Sequence, residues 1–319
     1  MRFRKAPSPT HTFPLLPPSL SLKTTAPATR APVASPTPAA PHHPLRPPLI
    51  TQDAIRAMEA GLDDGPAVAA LRRFNAALRA LTPATWEARL RPVMHALAHN
   101  LESFNPAFGA VLLAVQASLG GGTDYHRRDA ALAGLIQPLA GEYGMHNGQD
   151  QARTHRALFQ SFYEDLLRSP LGAALDADPA PPAAVLLFHR MMADIATAGG
   201  RVPLAAPGTL PPHQNALRAS YALGYNLAIE YLADYEKTWM LDSFRALDAG
   251  VLAPAGRGLS EWVFLEVHAE GEAEHAAIGH AATAALVPVA HEGVLRAAMA
   301  DHDRDFAAFY DGLAAMLEA

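Results

Sequence analysis

The sequence predicts an all-α fold for most of this 319-residue chain. From residue 51 onward, apolar residues recur at steps of three and four, which is the spacing of one face of an α-helix. Clusters of glycine and proline separate these segments, and no alternating strand pattern or βαβ rhythm appears. Residues 51–319 are therefore expected to form a single all-α domain, with residues 51–81 as an N-terminal helical extension.

The apolar periodicity places the helices one after another along the chain. They are predicted at about 53–61, 65–81, 83–103, 106–119, 125–141, 151–168, 182–198, 212–248, 258–286 and 288–317. Pro92 is expected to start or kink its segment, and Pro288 separates the last two helices.

Residues 1–50 differ in composition from the rest of the chain. Thirteen of the 28 prolines lie there, and no acidic residue precedes Asp53. Without hydrophobic periodicity, this segment cannot bury enough apolar surface to offset the entropy of ordering it. It is therefore predicted to be a disordered, proline-rich leader, and no function is assigned to it.

Composition and charge exclude several classes of function. The net charge is −6 and the pI about 6.2, so there is no basic surface of the kind that nucleic-acid binding needs. No apolar run is long enough to span a bilayer. The absence of cysteine excludes disulfides, iron–sulfur clusters and thiolate metal sites. We expect a cytoplasmic protein with a small-molecule substrate and neither nucleic acid nor membrane as a partner; a homodimer is left open.

One segment carries a metal-binding pattern. His268, Glu272 and His275 stand at positions i, i+4 and i+7, so two imidazoles and one carboxylate project from one face of a helix over about two turns. Imidazole with carboxylate suits a divalent first-row metal, above all iron when coordination positions stay open. The alternative is a polar, solvated helix face in a chain with 15 histidines.

Two further carboxylates stand in apolar surroundings. Glu230 is the one charged residue between Tyr221 and Leu232, and a carboxylate in such a setting is costly unless it is paired, protonated or bound to a cation. An ion pair with Arg218, or simple exposure, is the alternative. Glu142 ends an apolar segment. Both carboxylates are therefore candidate metal ligands.

The remaining histidines are weaker candidates. His146 would share the helix face of Glu142 if the helix continued, but Gly144 before it and Asn147-Gly148 after it indicate that the helix ends. His155 opens the next apolar-periodic segment and could point into a bundle, although a surface or core role is favoured for either histidine taken alone. His95 and His99 share a helix face and could line the same pocket, although a structural role is favoured. The Asp301–Asp303 stretch is expected in a polar loop or at a helix start, where capping is favoured over metal binding.

These residues, taken in order, resemble the ligand pattern of the haem-oxygenase-like di-iron oxidases and oxygenases, the iron-containing redox enzyme family. That family carries Glu-x-Gly…His-x-x-Leu-Phe, then a Glu in an apolar helix, then His-x-x-x-Asp/Glu-x-x-His. The corresponding residues here are Glu142-Tyr-Gly144, His155-Arg-Ala-Leu-Phe159, Glu230, and His268, Glu272 and His275. Two departures are the extra residues between Glu142 and His155, and a Glu at 272 where Asp is more usual.

The resemblance implies a haem-oxygenase-like bundle of about seven core helices, covering roughly residues 83–290. It also implies two Fe²⁺ ions per chain, held by the six residues named above, with O2 as co-substrate. The expected enzyme is a non-haem di-iron oxidoreductase that catalyses N-oxygenation, desaturation or oxidative C–C cleavage of a molecule like an amino acid or fatty acid. The alternatives are a thiaminase-like or pyrroloquinoline-quinone-synthase-like enzyme without the di-iron centre, or a non-catalytic metal-binding helical protein.

Overall fold

The computed structural model describes residues 47–118, 124–146, 149–150, 153–177, 182–206 and 208–319. For residues 146, 149–150, 174, 177, 183–185 and 270–274 within these ranges, the description is limited to the backbone. The described chain is helical apart from loops and one antiparallel pair of two-residue strands. The all-α fold class predicted from the sequence is therefore confirmed.

The helices follow one another with short connections. They are α1 (Gln52–Glu59), α2 (Pro66–Arg79), α3 (Trp86–Gln116), α4 (Tyr125–Glu142), α5 (His155–Leu167), α6 (Leu171–Ala177), α7 (Pro182–Thr197), α8 (Pro212–Leu247), α9 (Val263–Leu286) and α10 (Glu292–Glu318). Strands β1 (Met145–His146) and β2 (Gln149–Asp150) lie between α4 and α5. Short 3-10 turns are found at Ala60–Leu62, Ala253–Ala255 and Val289–His291, and a π-helical turn at Asp248–Leu252.

The largest difference from the predicted helices lies in α3. It is one helix of 31 residues, where the sequence predicts two, over 83–103 and 106–119. Pro106 lacks the N–H that would bond to the carbonyl of Glu102, which is why a helix end is expected there. The helix continues because Ala107, Phe108 and Val111 beyond the proline are buried in the core. Tertiary packing therefore outweighs the local cost of this proline.

Helix α8 lies at the centre of the bundle. Every residue from 218 to 230 is buried, and a helix that is buried on all sides needs neighbours on all sides. Helices α2, α3, α9 and α10 pack against it. The approach of α10 is close: a Cβ on Gly224 would lie 2.8 Å from the carbonyl oxygen of Leu295. Glu230 is thus carried on the most enclosed element of the fold.

The segment before α1 joins the bundle through the backbone. The N–H of Ile50 donates to the carbonyl of Val287 at 2.9 Å, and the N–H of Val289 donates to that of Pro48 at 2.9 Å. Ile50 is buried. Residues 1–46, most of the predicted leader, lie outside the described residues. Among the described helices, none has both the length and the apolar character needed to cross a membrane.

Candidate metal centre

Five of the six predicted ligand side chains line one internal cavity of about 150 Å³. They are Glu142, His155, Glu230, His268 and His275, contributed by α4, α5, α8 and α9. The side chain of the sixth, Glu272, lies outside the described residues, as does that of the alternative ligand His146. The backbone of residue 272 belongs to α9, between His268 and His275.

Three of these residues form a compact cluster. One ligand atom from each of Glu142, His155 and His268 lies within 4.8 Å of the other two, and all three side chains are half-buried. The imidazole rings of His155 and His268 are 4.4 Å apart between centroids. Imidazole nitrogens and a carboxylate oxygen gathered at this distance match the donors that divalent transition metals prefer.

The contact between Glu142 and His155 depends on two helix ends. Glu142 is the last residue of α4 and His155 the first of α5, and His155 Nδ1 donates to Glu142 Oε1 at 2.8 Å. Thr154 caps α5 by accepting from the N–H of Ala157 at 3.1 Å, which fixes where the helix begins. The cap therefore places His155 on the first turn, facing Glu142.

The orientation of His268 is set by its own helix. Its Nδ1–H donates to the carbonyl oxygen of Phe264, one turn earlier, at 2.6 Å. That bond leaves Nε2 as the nitrogen with a lone pair. The Phe264 ring lies 4.6 Å from the imidazole and 5.1 Å from the ring of Phe159 on α5, so aromatic packing also restrains His268.

The pKa of His268 is shifted well below the ordinary 6.5 of a histidine. Desolvation by burial is the main cause, and the positive charge of Lys237 on α8 acts in the same direction. The imidazole is therefore neutral at neutral pH, which is the form that binds metal ions.

Glu230 and His275 form a second pair in the same cavity. His275 Nδ1 lies 3.7 Å from Glu230 Oε2, and the carboxylate is almost fully buried. The predicted alternative, an ion pair between Glu230 and Arg218, is not supported. The guanidinium of Arg218 donates instead to the carbonyl of Ala205 and the side chain of Asn215, each at 3.1 Å.

The weaker histidine candidates lie elsewhere. His95 stacks on Tyr163 with ring centroids 6.1 Å apart, and neither His95 nor His99 is among the described residues that line the cavity. Glu102, close to them in sequence, forms an ion pair with Arg156 at the edge of the cavity. This arrangement agrees with the structural role favoured from the sequence.

The prediction that Asp301–Asp303 lies in a loop or at a helix start is wrong, because the stretch lies inside α10. Asp303 does cap a helix, but a different one: it accepts from the N–H of Ala67, at the start of α2, at 2.9 Å. His302 is 1% exposed and lines the cavity. Consecutive residues of a helix point in different directions, so the aspartates and His302 serve different neighbours.

Three charged residues of the cavity, Arg156, Glu236 and Lys237, were not among the candidates predicted from the sequence. Lys237 Nζ lies 2.9 Å from Glu236 Oε2, and Tyr310 donates its hydroxyl to the same carboxylate. One feature of the sequence could have drawn attention to Lys237: the chain has three lysines, and Lys237 is the only one beyond residue 23. The rest of the cavity wall is mainly apolar, with Phe104, Phe188 and other aromatic and aliphatic side chains.

Comparisons with known proteins bear on the fold. No protein-family model and no curated protein matches the chain. The crystal structure at 1.35 Å of a CADD-like protein of unknown function from Nostoc punctiforme PCC 73102 is similar, with a TM-score of 0.56 and 16% identity over 83% of this chain and 95% of that chain. A second structure of that protein, at 2.00 Å, has a TM-score of 0.47 and 17% identity over 78% of this chain and 97% of the other.

CADD-like proteins have the haem-oxygenase-like helical fold. At 16% identity, the similarity to the 1.35 Å structure concerns the fold alone. The chain therefore shares an all-helical, CADD-like architecture, as its ligand pattern led us to expect.

Proposed function

We propose that this chain is a non-haem iron enzyme that uses two ferrous ions and O2 to oxidise a small molecule. The observation that carries the proposal is the convergence of Glu142, His155 and His268 within 4.8 Å of one another, in a cavity that Glu230 and His275 also line. These side chains come from four helices, of which α4 and α5 are consecutive and α8 and α9 follow much later in the sequence. The resemblance in ligand order and the similarity in fold support the same conclusion.

The donor set fits iron. In a chain without cysteine, only nitrogen and oxygen donors remain, and these suit ferrous iron with open positions for oxygen. Glu142, His155 and His268 would hold one ion, while Glu230, His275 and Glu272 would hold the other. Bound ferrous iron supplies electrons one at a time, which allows reaction with O2.

The protein residues around the donors have definable tasks. The carbonyl of Phe264 fixes the tautomer of His268, and the surrounding aromatic side chains reduce the access of water to the donors. Lys237 places a positive charge near His268, where it opposes protonation of the imidazole. The mainly apolar wall favours a substrate with a hydrocarbon portion, as in N-oxygenation, desaturation or C–C cleavage of a molecule like an amino acid or fatty acid.

The direct test is anaerobic titration of the full-length protein with ferrous iron, followed by measurement of bound metal. Wild type should bind two ions per chain, and His268→Ala should lose at least one of them. His189→Ala, which alters an exposed histidine on α7, is the matched control and should bind as wild type does. Binding of less than one ion by wild type under saturating iron would contradict the proposal.

A second candidate function follows from the 2.8 Å contact between His155 and Glu142. A carboxylate that orients an imidazole is an arrangement used for general acid–base catalysis without metal. In that case the chain would resemble the metal-independent enzymes of the same fold. Once a turnover assay exists, activity that survives treatment with a chelator would favour this candidate over the iron enzyme.

A further inference from the structure

His302 is the most enclosed polar side chain of the cavity. It projects from α10, which contributes none of the six candidate ligands, and only 1% of its surface is exposed. The ring of Tyr225 lies 4.9 Å from the imidazole, and that of Phe306 lies 5.6 Å from it. The same cavity is lined by the candidate metal ligands.

The hydrogen-bonding capacity of His302 is unused within the described protein. Neither Nδ1 nor Nε2 has a hydrogen-bond partner among the described residues. The buried side-chain oxygen of Asn100, on α3, also has no hydrogen-bond partner among the described residues, and Asn100 lines the same cavity. Buried polar groups in native proteins are almost always hydrogen-bonded, and leaving one unpaired is costly. If His302 served only to pack between Tyr225 and Phe306, phenylalanine would suit the position better, because it has no polar atoms to leave unpaired.

The chemistry of these atoms defines what would satisfy them. Burial lowers the pKa of His302 to about 3, so the imidazole is neutral and offers one donor and one acceptor. The oxygen of Asn100 offers an acceptor. Neither side chain carries a charge that would stabilise an anion. The two cations that line the cavity are already paired, Lys237 with Glu236 and Arg156 with Glu102. The complementary ligand group is therefore uncharged, with both a donor and an acceptor.

We propose that His302 and Asn100 bind an uncharged polar group of the substrate, such as a carboxamide, and thereby determine which substrates enter the cavity. That the bound molecule is then oxidised rests on the proposed function, whereas its binding by His302 and Asn100 does not. The apolar wall would take the hydrocarbon part of the same molecule.

The test uses the metal-free full-length protein with three probes of similar shape: benzamide, benzoate and toluene. A cavity of about 150 Å³ is large enough for a benzene ring, so these probes match the size of the site. Isothermal titration calorimetry should show that benzamide binds at least tenfold more tightly than either benzoate or toluene. His302→Phe and Asn100→Leu should each remove that preference while leaving toluene binding nearly unchanged.

The chain offers a matched control in Asn75, a buried asparagine on α2 whose side-chain oxygen also lacks a partner among the described residues but does not line the cavity. Asn75→Leu should keep the preference for benzamide. Equal effects of Asn75→Leu and Asn100→Leu, or no preference in wild type, would overturn the proposal.

Iron titration of His302→Phe separates this inference from the proposed function. The variant should bind as much ferrous iron as wild type, because His302 is not assigned as a ligand. Loss of iron in His302→Phe would make the residue a ligand and overturn the substrate-binding role. If wild type binds benzamide selectively but no iron, the proposed function fails while the binding site stands.

Discussion

Glu142 Oε1 lies 2.8 Å from His155 Nδ1, although 12 residues and two short strands separate the helix end from the helix start that carry them. The contact joins the end of α4 to the start of α5. His268 on α9 lies close to both residues. A metal ion bound between Glu142 and His155 would displace the proton that His155 Nδ1 now donates to the carboxylate, with little movement of either side chain. The geometry of the candidate site is therefore set largely by where these helices end and begin.

Replacement of Glu142 by glutamine should weaken metal binding without unfolding the protein. The amide keeps the shape of the side chain but removes the charge and the ligand strength of the carboxylate. We expect the affinity for ferrous iron at this site to fall at least about tenfold. Glu87→Gln, which alters a surface ion pair with Arg91 on α3, is the control. Unchanged iron affinity in Glu142→Gln would exclude Glu142 as a ligand.

Replacement of Glu230 by glutamine should affect the second ion. The carboxylate is buried and lies 3.7 Å from His275, away from the Glu142 contact. Bound iron, measured by elemental analysis after anaerobic loading, should fall by one ion per chain. The metal-free variant should unfold at the same or a higher denaturant concentration, because the neutral amide is less costly to bury than a carboxylate. A strongly destabilised metal-free variant would instead indicate a structural role for Glu230.

Most of the helices could be predicted from the sequence, and the candidate ligands could be proposed from it, because both leave local patterns. The spacing of His268 and His275 is visible within two helical turns, and the apolar run around Glu230 marks its carboxylate as unusual. No local pattern shows that Glu142 meets His155, because that contact depends on how α4 and α5 pack. The resemblance to a known ligand order supplied this part of the prediction.

The residues that the sequence did not reveal are those whose setting is created by tertiary packing. His302 stands between two aspartates, which suggests a polar surface, yet α10 turns the histidine, and neither aspartate, toward the cavity. Pro106 suggests a helix end, yet buried neighbours carry α3 through it. In both cases the burial of the helix face decides the outcome, and burial is a property of the whole bundle.

The stability of the protein should fall as the pH is lowered from 6.5 toward 3, in part because of His302. Its pKa is about 3 in the folded state, against an ordinary 6.5, so the unfolded state takes up a proton that the folded state excludes. At pH 5 this difference corresponds to about 2 kcal/mol. Urea unfolding at pH 7.5 and pH 5 should therefore show a smaller loss for His302→Phe than for wild type. An equal loss in both proteins would show that His302 is not buried in neutral form.

Gly224→Ala should destabilise the protein, whereas Gly109→Ala should not. A Cβ at 224 would lie 2.8 Å from the carbonyl oxygen and 2.9 Å from the Cα of Leu295, so α8 and α10 would have to separate. Such overpacking costs about 1–3 kcal/mol. Gly109 lies inside α3 with nothing within 4 Å of its Cβ position, and alanine there should add up to about 1 kcal/mol of stability. Thermal unfolding of the two variants should shift in opposite directions.

Two truncations should locate the start of the folded chain. Removal of residues 1–45 takes away a segment with no hydrophobic periodicity, so the melting temperature and iron binding should stay as in the full chain. Removal of residues 1–50 also deletes Ile50, which is 3% exposed, and the backbone bonds from residues 48–50 to Val287 and Val289. Burial of one isoleucine side chain contributes about 1.5–3 kcal/mol, so this longer truncation should melt several degrees lower. A large loss of stability on removing residues 1–45 alone would show that the leader contacts the helical bundle.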